Sequence, residues 1–138
     1  PVPTADRLFY VADAMRLGMT DAHLYEKTAI DPWFLAPIRR TVAAEKEIAA
    51  LTADRSRIER AMFDPATAEA PERDLTMTEL MKRRAETEAA IAAAERSWLE
   101  ANEAMEAAMR LLTIVAEDKA KTIDAIHALI ATLPKETP

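Results

Sequence analysis

Apolar positions recur along most of this chain at alternating spacings of three and four, the pattern of helices that each bury one stripe. The first series is Thr41, Ala44, Ile48, Leu51, Arg55, Ile58 and Met62, with Glu, Lys and Arg filling the other positions. The second is Arg84, Thr87, Ile91, Ala94, Trp98, Ala101, Met105, Ala108, Leu112 and Val115; it weakens at Lys119 and Thr122 and resumes at Ile126, Leu129 and Leu133. Between them Pro65 and Pro71 predict a loop over residues 64–75, after which Thr76 and Glu79 form a Thr-x-x-Glu capping box. Because neither stripe can be buried by its own helix, the two predict an antiparallel coiled-coil hairpin with a long second helix, about 85 Å if unbroken. The last third of that helix needs a cover. The N-terminal region could pack there, the helix could break near Glu117–Lys121 and double back, or a second copy could pair with it.

The first forty residues read as three shorter pieces. Thr4 can cap a helix from Ala5 to Leu17 whose apolar face is Leu8, Phe9, Val11, Ala12 and Met15, and Gly18 supplies its stop. Thr20 or Asp21 caps a short helix carrying Leu24 and Tyr25, and Asp31-Pro32 starts another at Trp33, Phe34 and Leu35. A small cluster follows, with Phe9, Tyr10, Tyr25, Trp33 and Phe34 as its bulk. Pro37 should kink the third helix or restart it. The fold class is therefore all-α: a helical cluster over 1–40, the hairpin over 41–117, and a helical extension and tail over 118–138.

Composition narrows the function. One Gly in 138 residues excludes phosphate loops and doubly wound α/β folds, which need glycine at tight turns. A net charge of -6 opposes general attraction to phosphate backbones or anionic lipid, and the absence of cysteine removes disulfides, thiol nucleophiles and thiolate metal sites. No apolar run approaches a membrane span and no signal peptide is evident, so a soluble cytoplasmic protein is expected. The opening Pro1 suggests a fragment or a processed chain.

Candidate chemistry is sparse. His23 and His127 stand far apart; Asp124 and His127 share a helix face, but a metal centre would need partners from other helices. Glu95, Glu100, Glu103 and Glu106 read as a solvated face rather than an acid–base pair, which would need a cleft. Lys82, Arg83 and Arg84 are the one basic run and the candidates for phosphate contact, although adjacent cations point around a helix. Met77, Met81, Met105 and Met109 suit adaptable packing.

Two stretches resemble known families. "PTADRLFYVADAMRLGMT" with "TAIDPWFLAPI", residues 2–40, resembles the oligomerisation region of the carbamoyl-phosphate synthetase large chain. That resemblance implies a helical connector between synthetase halves with no active site, and packing or association roles for Phe9, Tyr10, Trp33, Phe34 and Leu35; Pro37 departs from the family pattern. "LTADRSRIERAMFDP" through "LTMTELMKRRAETEAAIAAAERSWLEANEAMEAA", residues 45–108, is similar to the C-terminal coiled-coil domain of ABC-F ATPases. This implies a hairpin accessory without its ATPase cassettes, with Trp98 and Leu99 as packing positions. Two such families meeting within a few residues suggest an engineered or recombined chain.

The expectation is a non-enzymatic helical interaction module without cofactor, metal or small-molecule substrate, binding a protein partner or forming a homodimer through Phe9, Tyr10, Trp33, Phe34, Leu35 and Trp98. The alternatives are a small acidic, antitoxin-like inhibitor of a basic protein and, less favoured, a nucleic-acid or ribosome-binding hairpin using Lys82, Arg83 and Arg84.

Overall fold

A computed structural model of the chain describes residues 5–133, with side chains described from residue 10. Four α-helices account for nearly all of it: α1 (Ala5–Arg16), α2 (Asp21–Thr28), α3 (Pro32–Phe63) and α4 (Met77–Thr132). There is no strand among the described residues, so the all-α expectation holds. The expected Thr4 cap and the Leu8 and Phe9 side chains lie outside what is described.

Each boundary has a local cause. Gly18, at φ 94°, closes α1 in the left-handed region open to a residue without Cβ. Thr20, rather than Asp21, caps α2 by accepting from the His23 N–H. Asp31 accepts the Trp33 N–H at 2.8 Å, and Pro32 takes the first helical position of α3. Two short 3-10 turns, Pro65–Thr67 and Glu72–Asp74, fill the loop between α3 and α4. The capping box forms as read: Glu79 N–H donates to the Thr76 hydroxyl, and Thr76 N–H donates to the Glu79 carboxylate at 2.8 Å. That backbone hydrogen bond holds the Glu79 carboxyl below its ordinary pKa.

α3 and α4 pack antiparallel as the body of the molecule. Every seam position read in α3, from Thr41 to Met62, is buried or half-buried, as is every one in α4 from Arg84 to Leu112. Much of the α4 side of that seam is alanine (Ala94, Ala101, Ala108), so it is narrow. Two thicker apolar clusters close its ends. At the loop end Ile58, Ala61, Ala68 and Leu80 pack with Met62 and Leu75. At the other, α1 and α2 fold over the start of α3, where Val11, Met15, Leu24, Ile30, Leu35, Ile38 and Val42 join Leu112, with Met105 and Met109 against them.

Several alternatives left open by the sequence are narrowed. α3 passes through Pro37 without restarting, and the main apolar cluster draws residues from both sides of position 40. α4 does not break near Glu117–Lys121 but runs on to Thr132. Among the described residues the N-terminal cluster reaches α4 as far as Leu112, and from Thr113 to Leu133 every residue is exposed except the half-buried Ala116.

Candidate functional site

Of the residues singled out for association whose side chains are described, Leu35 is the one driven fully inside, at 0% exposure, and Phe9 lies outside them. Phe34 packs against the same cluster, while Trp33 turns its face to solvent and meets Phe34 edge-on, ring centroids 4.9 Å apart. Tyr10 and Tyr25 are exposed as well. Among the described residues the bulk of the cluster is thus aliphatic, where the sequence suggested aromatic. Helical geometry explains this, since consecutive residues diverge by about 100° and only part of a Trp-Phe-Leu run can face one way.

Trp98 sits half-buried in the hairpin seam, level with Glu45. Arg16 of α1 reaches the same carboxylate, its Nε and an Nη donating to the two Glu45 oxygens at 2.9 and 3.0 Å, and also donates to Asp13. The Arg16 hydrogen bond lowers the Glu45 pKa; burial opposes it, and the Arg16 charge and the Trp98 indole add to the lowering. A second arginine does the same for α2: Arg39 donates to Asp21 at 2.9 Å from Nε and to the Met19 carbonyl at 2.8 Å. These two arginines clamp the small helices to α3 and define the N-terminal end of the molecule.

The basic run is occupied by ion pairs along its own hairpin. Arg84 turns toward the seam, with Nε 3.2 Å from Glu59 and 3.3 Å from Glu88, and Lys82 lies 3.9 Å from Glu86. Arg83 is exposed on the outer face near Glu79. The three do not converge on one patch, and each has a carboxylate close by. His23 and His127 are exposed and remote, and Glu95, Glu100, Glu103 and Glu106 lie on the solvated side of α4. Among the described residues no three His, Asp or Glu side chains come together as metal ligands. Glu72, buried in the loop, faces Arg57 at 3.7 Å and serves loop packing.

What the surface offers is apolar. Beyond Leu112 the same face of α4 that packs inside the hairpin continues bare, with Val115, Ile123, Ile126, Leu129, Ile130 and Leu133 all exposed. Its spacing was legible, as was the need for a cover over the last third of α4; what the sequence left open was which cover fills it, and the start of α3 at Pro32 sets where the bare stretch begins. Arg84 beside Glu59 and Trp98 beside Glu45 set a register in which the start of α3 lies level with Leu111. No helix among the described residues is long and apolar enough to cross a membrane.

Residues 1–96 match the family described as carbamoyl-phosphate synthetase large chain, oligomerisation domain. The match takes in α1, α2, α3 and α4 as far as Arg96, crossing residues 40–45 where the two resemblances meet. The carbamoyl phosphate synthase large chain of Xanthomonas axonopodis pv. citri is 49% identical over 70 residues, covering 46% of this chain and 6% of its own length. That of Ralstonia nicotianae is 46% identical over 52 residues, covering 38% and 5%, and that of Xylella fastidiosa strain Temecula1 is 58% identical over 43 residues, covering 31% and 4%. The chain therefore spans only a small fraction of the length of these relatives. No solved structure matches it.

Proposed function

Because the chain belongs to the family of the carbamoyl-phosphate synthetase large chain oligomerisation domain, we propose that it is a helical association module that joins copies of itself and carries no catalytic chemistry of its own. The observation that carries this reading is the extent of the family match, which spans the N-terminal cluster and the hairpin as far as Arg96. The apolar surface left on the last third of α4 supports it, since an exposed apolar stripe of that kind marks an interaction face. The relatives' names describe an enzyme many times longer, and within such a polypeptide this chain corresponds to the associating region rather than to the synthesis of carbamoyl phosphate.

Sedimentation equilibrium across about a hundredfold range of concentration tests the reading. The apparent mass is expected to rise from one chain toward an integral multiple. A mass fixed at that of one chain throughout would overturn it.

A further inference from the structure

We draw no further inference here: the strongest candidate, the bare apolar face of α4 beyond Leu112 that carries Val115, Ile126 and Leu129, is an unpartnered surface, and nothing among the described residues shows what covers it.

Discussion

Glu45 joins three helices through one carboxylate, taking both hydrogen bonds from Arg16 of α1 while lying level with Trp98 of α4. Its pKa is lowered in the folded chain, first by the Arg16 hydrogen bond. A group whose folded pKa lies below its unfolded one stabilises the fold above the ordinary carboxylate range, and that contribution is lost as pH falls through the lowered folded value. The side chains of Arg16 and Glu45 are 44% and 35% exposed, so solvent screens the pair to surface strength. Glu45→Gln is expected to cost about 0.5 kcal/mol near neutral pH and nothing at about pH 2, read as the difference between urea titrations of wild type and variant at each pH. None of this was legible in the sequence: Arg16 and Glu45 are far apart in the chain, and only the docking of α1 on α3 brings them together. The same holds for Trp33 and Leu35, whose opposite fates depend on how α3 is rotated against the cluster, a quantity that composition and spacing do not carry.

At the level of elements, the sequence was informative where the signal is local. The Asp31-Pro32 start, the Thr76–Glu79 box and the stop at Gly18 all appear at the residues that announced them, because caps depend on a few neighbouring groups. Pro37 shows the limit of local rules. It lacks the N–H that would bond to the Trp33 carbonyl, yet α3 continues through it, with Pro37 itself buried and its carbonyl accepting from the Thr41 hydroxyl at 3.0 Å. Tertiary packing of Leu35, Ile38 and Val42 on either side outweighs the local penalty. Pro37→Ala is accordingly expected to stabilise the chain: recovery of up to ~3 kcal/mol of helix penalty exceeds the loss of a small buried ring, for a net gain of about 1 kcal/mol. Equilibrium urea unfolding, with a higher midpoint and unchanged slope, checks this.

For the whole molecule, the heptad pattern specified a hairpin whose second arm outruns its first, but not what covers the excess. The long helix was visible as an absence of Gly and Pro from Thr76 to Leu133; that its far part is bare follows from the length of α3, not from anything in α4 itself. Self-association of the kind proposed for the chain makes stability depend on protein concentration, so the thermal midpoint is expected to rise with concentration, which calorimetry reads directly.

The projecting arm also acts as a pointer. Its residues rise by about 1.5 Å and turn by about 100° each, so the direction in which Leu133 faces is set by counting from Leu112. Removing one residue between them would swing that direction about a quarter of the way round the axis, whereas removing seven would draw Leu133 in by about 10 Å and leave it facing almost as before.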